Sequence, residues 1–312
     1  MNPSNPAHEC WFLTGATAVG KTQVALSLAE KLGAEIVSLD SMAVYRGMDI
    51  GTAKPTPDEQ VRVRHHLIDV VDPSEEFSIE RYLELAKQAI SAIKSRGREV
   101  LFAGGTPLYL KALLRGMSSG PPANWELREQ IAADVEEFGS EVLHQRLQQL
   151  DPLAASQIHP HDTRRLTRAL EVFRATGEPI SHQQTHFEEG TSAEKCRVFV
   201  LRRSREEQHD RINDRVEQML ERGLIDEVKQ LTAKGKTLGR TASQAVGYCE
   251  VIEYLSGGDY KQMVARIKAR TRRFAKRQGT WFRSLSECRF VDLTAVSEAD
   301  SIAQQIVDSS SS

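Results

Sequence analysis

Apolar positions in the first hundred residues recur with two periods. Trp11–Leu13 is a short apolar run before a glycine loop, and Glu35–Leu39 (E-I-V-S-L) predicts a second strand ending in Asp40. His66–Val71 and Val100–Ala103 predict two more, the last running into Gly104-Gly105. A helix from Thr22 to Leu32 places Val24, Leu28 and Leu32 at i, i+4 and i+8, one stripe for burial. Another helix is predicted over Ile79–Ser95. Strands alternating with helices predict a parallel sheet covered on both faces.

The pattern changes at Ser118–Pro122 (S-S-G-P-P), a cluster of turn formers. From Asn124 to about His186 the periodicity is helical throughout. Arg197–Leu201 (R-V-F-V-L) then predicts a strand rejoining the sheet, with helices following to Arg283. Within the helical stretch, Asp162 can cap a helix whose Leu166, Leu170 and Phe173 face inward, leaving Arg164 and Arg168 on the opposite side.

Composition narrows the class. Hydrophobic residues make up 40% and charged residues 27%, with a net charge of −2. No apolar run approaches the ~20 residues of a membrane helix. Met1–Glu9 lacks the charged start and apolar stretch of a secretory signal, so the expected compartment is cytoplasmic and no membrane partner is expected. Cys10, Cys196, Cys249 and Cys288 are far apart, which argues against a disulfide framework or a cysteine zinc site. His182 and His186 stand four apart and His159 and His161 flank a proline, but no further ligand at suitable spacing completes a metal set.

Residues 15–22 read G-A-T-A-V-G-K-T, a full match to G-x-x-x-x-G-K-[ST]. The motif follows an apolar strand and opens an amphipathic helix, the context that such a loop requires. Gly15 and Gly20 permit the tight turn, and backbone N–H groups across Ala16, Thr17, Ala18 and Val19 can face phosphate oxygens. Lys21 would reach the terminal phosphate, and the Thr22 hydroxyl would ligate Mg²⁺. The loop establishes pyrophosphate or polyphosphate binding without specifying ATP. The expected fold class is therefore α/β, a P-loop NTPase-like parallel sheet core with a helical insertion domain. Residues 1–119 form its first part, 120–186 the helical insertion, and 187–293 the second part with a basic C-terminal helix. Residues 294–312 are expected to be a disordered tail.

A nucleoside-triphosphate hydrolase carries an acid at the end of an apolar strand to help hold Mg²⁺. Here Val100–Ala103 ends in Gly104-Gly105-Thr106, and the strand-end acid is Asp40. From position alone, Asp40 can be a general base, a Mg²⁺-associated acid or a helix cap. Between Lys261 and Arg283 stand nine Lys/Arg and no Asp or Glu. On a helix Arg266, Arg270, Arg273 and Arg277 form a cationic stripe, with Met263, Ile267 and Phe274 as the packing face. Such a run favours contact with a phosphate backbone. Trp281-Phe282 could stack on a base, but helix-end packing is the simpler reading.

G-A-T-A-V-G-K-T, I-V-S-L-D-S, Y-R-G-M-D-I-G-T-A-K-P and A-G-G-T-P-L-Y together resemble the bacterial tRNA dimethylallyltransferase family. The likeness continues through D-P-L-A-A-S-Q-I-H-P-H-D-T-R-R-L-T-R-A-L-E-V-F (151–173), V-G-Y (246–248) and K-R-Q-G-T-W-F-R (276–283). It implies transfer of a dimethylallyl group from its pyrophosphate to N6 of the adenosine just 3′ of the anticodon in tRNA. It implies Asp40 as the base on N6, Thr106 beside the substrates, and Arg215 with Lys21 on the departing pyrophosphate. It further implies contacts to the anticodon stem-loop from Asp40, Ser41, Met42, Ala43, Thr106 and Arg128. The same holds for Arg164, Arg165, Leu166, Thr167 and Arg168, and for Gln244, Ala245, Val246, Gly247, Tyr248 and Cys249. A monomer is expected. The alternatives are a P-loop small-molecule kinase and an isopentenyltransferase acting on free adenine nucleotides; a non-catalytic RNA-binding protein would not need the loop.

Overall fold

The computed structural model describes residues 6–117, 120–121, 123–183, 190–233 and 236–310. The expected breakers Ser118, Ser119 and Pro122, and the predicted end of the insertion at 184–186, lie outside them. Six strands form one sheet: β1 (Trp11–Gly15), β2 (Ala34–Leu39), β3 (His65–His66), β4 (Glu99–Gly104), β5 (Val198–Arg202) and β6 (Cys288–Asp292). Their order is β3-β2-β4-β1-β5-β6 and every pairing is parallel. Side chains alternate between the two faces. Phe12, Val37, Phe102 and Val200 enter one buried cluster, and Leu13, Ile36, Leu101 and Leu201 the other. Both faces are covered, which is why these strands read as continuous apolar runs.

The third strand is shorter than predicted. Leu67 and Asp69 take φ values of 60° and 57°, so the chain turns away after His66 and rejoins only at the Tyr45–Val71 bridge. Between the first strands run α1 (Lys21–Leu32), α2 (Pro57–Arg62) and α3 (Ile79–Lys94), and α4 (Pro107–Arg115) follows β4. The chain divides into two compact units, one of Met1–Leu114 with Thr191–Ser312 and one of Arg115–Gly190. The second unit holds α5 (Trp125–Phe138), α6 (Ser140–Leu150), α7 (Pro152–Gln157), α8 (Thr163–Thr176) and α9 (Ile180–Gln183). Its own core comprises Leu127, Ile131, Leu143, Leu147, Leu166, Ala169 and Val172 among others. The first unit resumes with α10 (Arg205–Glu221), α11 (Leu224–Leu231), α12 (Arg240–Ser243), α13 (Tyr248–Leu255), α14 (Tyr260–Arg283) and α15 (Ala299–Ser310).

The tail expected to be disordered is α15 for most of its length; Ser311 and Ser312 lie outside the described residues. Ile302, Ala303 and Ile306 bury themselves in the cluster that also holds Val24, Ala25 and Leu28 of α1. Lys31 reaches across to Asp300 at 3.0 Å. A four-residue apolar spacing in a polar stretch thus suffices to dock a helix.

At the edge of the sheet, Glu35 accepts two bonds from Arg96 (3.0 and 2.7 Å) and lies 2.6 Å from His66 Nε2. The Arg96 guanidinium, with help from His66, holds the Glu35 carboxyl at about 2 despite its burial. A folded-state value below the unfolded one means a stabilisation that is present above pH ~4.3 and lost as the pH falls towards 2. Glu35→Gln is expected to flatten that acid limb when denaturant midpoints are measured against pH.

Candidate active site

The carboxyl ends of β1, β2, β4 and β5 lie side by side, where parallel α/β sheets bind ligands. At the end of β1 the chain enters the phosphate loop. Gly15 has φ +146°, and a Cβ there would stand 2.4 Å from the Leu201 carbonyl of neighbouring β5, so only glycine fits. Gly20 ends the loop at φ +102° and hands over to α1. Three successive loop carbonyls turn outward and are caught by side chains: Thr17 by Gln208, Ala18 by Arg211 and Val19 by Arg203, each at 2.9 Å. Holding the carbonyls outward leaves the concave side for N–H groups, the arrangement an anion requires. The Thr17 N–H is an exception to the expected inward set, because it donates to Gln278 Oε1 at 2.9 Å.

Lys21 opens α1 and turns back over the loop, donating to the carbonyls of Gly15 (3.0 Å) and Ala16 (2.9 Å). A lysine has three donors, so one remains for a ligand. Burial, reinforced by the nearby Arg215 cation and opposed by Asp40, lowers the Lys21 ammonium to about 8. Burial also weakens Arg215's hold on its proton, Asp40 opposing and Arg211 adding to the effect. Arg215 is half-buried on α10 and not the solvated helix charge that its sequence context alone suggests. Two cations and a carboxylate therefore act on one another's charge at the glycine loop. Thr22 is exposed in the first turn of α1, and its hydroxyl makes no hydrogen bond among the described residues.

Asp40 follows β2. Its Oδ1 accepts from Met42 N at 2.8 Å and Ala43 N at 3.4 Å, which anchors the turn and leaves Oδ2 without a partner among the described residues. Thr106, just past β4, accepts from Ser41 N at 3.1 Å through Oγ1, while its own N–H donates to Leu39 O at 3.0 Å. Asp40, Ser41 and Thr106 thus form one hydrogen-bonded corner. Ala43 is buried, so its side chain belongs to the core and not to an RNA contact.

The loop after this corner is clamped from two sides. Lys54, only 8% exposed, reaches Tyr45 O (2.8 Å), Asp49 and Asp69. Glu227 on α11 accepts from the N–H groups of Asp49, Ile50 and Gly51 at 3.0, 2.8 and 3.2 Å, and from Tyr248 OH at 2.6 Å. Gly51 lies flat on the Tyr248 ring, where a Cβ would come within 2.4 Å of a ring carbon. Of the expected contacts at 244–249, Gln244 is exposed and Val246 and Cys249 half-buried. Ala245, Gly247 and Tyr248 are buried, which keeps the Ala245 and Tyr248 side chains from a polynucleotide, and Gly247 has no side chain to offer.

The basic helix α14 is less free than its sequence suggests. Arg266 pairs with Glu253, Lys268 with Glu217, and Arg270 with Glu250 and Cys249, while Arg272 donates to Asn213. The acids that the run lacks come from α10 and α13. Phe274 is 38% exposed, so it is not part of the packing face with Met263 and Ile267. Arg273, Lys276, Arg277 and Arg283 remain exposed, and Phe282 packs at the helix end.

In the second unit Arg164 and Arg165 are exposed, Arg165 lying 3.6 Å from Asp162, and Thr167 is half-buried. Leu166 is fully buried, a core residue. Arg128 and Arg168 both grip the buried Glu171 carboxylate, at 2.9 and 2.6 Å, with Asn124 N donating as well. Their first task is therefore to neutralise Glu171, although both side chains stay partly exposed. Glu171→Ala leaves those donors half-buried and unpaired. It is expected to cost about 1–3 kcal/mol, read as a lower urea midpoint.

Residues 43–285 match the IPP transferase family. The chain belongs to the IPP transferase family. It is 49% identical over 286 residues to the tRNA dimethylallyltransferase of Rhodopirellula baltica, covering 89% of this chain and 86% of that one. It is 43% identical over 281 residues to that of Thermotoga maritima, covering 90% and 91%. The crystal structure of the tRNA isopentenylpyrophosphate transferase of Bacillus halodurans matches with a TM-score of 0.70 at 39% identity, covering 97% of both chains. A eukaryotic dimethylallyltransferase acting on tRNA matches with a TM-score of 0.77 at 29% identity, covering 96% of this chain and 77% of that one.

Sequence reasoning about this IPP transferase passes over Gln278, Arg203, Gln208, Arg211 and Glu227. Gln278 stands inside the quoted K-R-Q-G-T-W-F-R block, so that block marks it without saying why. The others look like ordinary surface polar residues, and only the placement of β5 beside β1 brings three of them to the loop.

Proposed function

We propose that this IPP transferase moves the dimethylallyl group of dimethylallyl pyrophosphate to N6 of the adenosine just 3′ of the anticodon (position 37) of tRNA, releasing pyrophosphate. The observation that carries the reading is the convergence of the glycine loop, Lys21 and Arg215 with the free oxygen of Asp40 at one sheet edge. In the transfer the allylic C–O bond breaks, its electron pair leaving with pyrophosphate, while N6 forms the new N–C bond. The departing charge develops over the loop amides, Lys21 and Arg215, where fixed donors are most effective. Asp40 Oδ2 takes the N6 proton.

The donor set at the loop suits a hard divalent ion held chiefly by substrate phosphates and water, with one protein oxygen from Thr22. Mg²⁺ there would neutralise part of the leaving-group charge. For the anticodon stem-loop, the exposed cations Arg273, Lys276 and Arg277 of α14, and Arg164 and Arg165 of α8, supply phosphate-binding charge. No helix among the described residues is long and apolar enough to cross a membrane. Acting on tRNA, the enzyme would work in the cytoplasm, as a monomer.

The kinase alternative lacks an acid at the end of β4 and leaves these arginines without a task. Incubating the protein with labelled dimethylallyl pyrophosphate, Mg²⁺ and an unmodified anticodon stem-loop decides between them. Label in the RNA with release of pyrophosphate is expected. Consumption of ATP with a small hydroxyl acceptor, and no label in RNA, would establish the kinase.

A further inference from the structure

We propose that Gln278 is a positioning residue that sets the spacing between the phosphate loop and the acceptor corner; this rests on the prenyl-transfer reading of that site. Gln278 is 5% exposed, within a helix whose neighbouring Lys276 and Arg277 face solvent. Its Oε1 accepts from Thr17 N at 2.9 Å and its Nε2 donates to Gly105 O at 2.6 Å. A backbone N–H only donates and a carbonyl only accepts, so these two partners fix which way the amide points. The carboxamide is a bridge with a donor on one side and an acceptor on the other.

What it bridges are the two halves of the reaction. Thr17 is in the loop that would hold the leaving group, and its carbonyl is held by Gln208, so the residue is pinned at both backbone polar groups. Gly105 adjoins Thr106, which bonds Ser41 beside Asp40. The chain Thr17–Gln278–Gly105–Thr106–Ser41 is thus a polar connection from the pyrophosphate cradle to the corner that holds the base. Gly105 makes the bridge feasible, since a Cβ there would stand 2.8 Å from Gln278 Nε2. Transfer requires N6 and the allylic carbon within about 3–3.5 Å, and a displacement of about 1 Å costs about 100-fold in rate. Gln278 touches neither reacting atom; it acts through the two segments it ties.

The test compares Q278M, which has the shape and neither bond, with Q278E. A neutral glutamic acid can accept from Thr17 N–H and donate to Gly105 O. An ionised one cannot donate, and it puts charge against that carbonyl. Single-turnover transfer to tRNA is measured at saturating substrates from pH 6 to 8.5, with tRNA affinity and thermal unfolding followed in parallel. Q278M is expected to be about 10–100-fold slower than wild type at every pH, with tRNA affinity within about twofold. The ratio of Q278E to wild type is expected to rise as the pH falls and the carboxyl takes up its proton. A role limited to folding would lower the unfolding midpoint and slow both variants by a common, pH-independent factor, which overturns the proposal, as does wild-type speed in Q278M. Absence of label in tRNA with the wild-type protein overturns the prenyl-transfer reading itself, and this proposal with it.

Discussion

Asp40→Asn is expected to lower single-turnover transfer by about 100- to 10,000-fold, the range for loss of a positioned general base, while tRNA affinity stays within a few-fold. The substitution separates the two tasks of this side chain. The asparagine carbonyl can still accept from Met42 N–H, so the turn that Oδ1 anchors at 2.8 Å survives. What disappears is the second oxygen, which has no partner among the described residues and which alone could accept the N6 proton. The neutral adenine amine is a poor nucleophile, so proton removal must accompany bond formation. Transfer by the variant within tenfold of wild type, with tRNA binding intact, would reduce Asp40 to an anchor for its turn.

Lys21→Met should act on the other half of the reaction, with transfer about 100- to 1,000-fold slower, as for removal of one preorganised charge-stabilising donor. It also carries a pH signature. Without ligand, burial and Arg215 hold Lys21 at about 8. Bound pyrophosphate stabilises the ammonium form, so binding above pH 8 takes up a proton and weakens as the pH rises further. Calorimetry of pyrophosphate binding at pH 8.5, in buffers of different ionisation enthalpy, is expected to show that uptake in wild type and not in the variant. In the folded ligand-free protein the lysine holds its proton less tightly than in the unfolded chain. Stability is therefore expected to rise between pH ~8 and ~10.4 in wild type, and this rise is absent in Lys21→Met.

The elements that sequence periodicity locates well are those with both faces buried or with a strict motif. β1, β2, β4 and β5 fall within two residues of their predicted bounds, and the phosphate loop stands where its motif puts it. Elements that depend on non-local partners escape. β6 is an edge strand (C-R-F-V-D) with a mixed burial pattern, so neither alternation nor a continuous apolar run marks it. The end of β3 is decided by left-handed Leu67 and Asp69, residue types that give little warning of it. The basic helix illustrates the same limit for charge, because the acids that neutralise Arg266 and Arg270 lie on α13, ten or more residues away. At the site, position assigned Asp40 a place but not a task. An Asp40 whose Oδ2 has no partner among the described residues, and whose charge acts on Lys21 and Arg215, is a statement that only three dimensions can make.

The docking of α15 on α1 has a practical side. The helix that carries Lys21 and Thr22 at one end is packed along its flank by Ile302, Ala303 and Ile306. A shortened version ending after the last strand, at Asp292, would strip that flank and leave Val24, Ala25 and Leu28 facing water beside the substrate loop. Any deletion boundary or fusion joint is better set beyond Ser310, and a poorly active truncation should be read first as damage to α1.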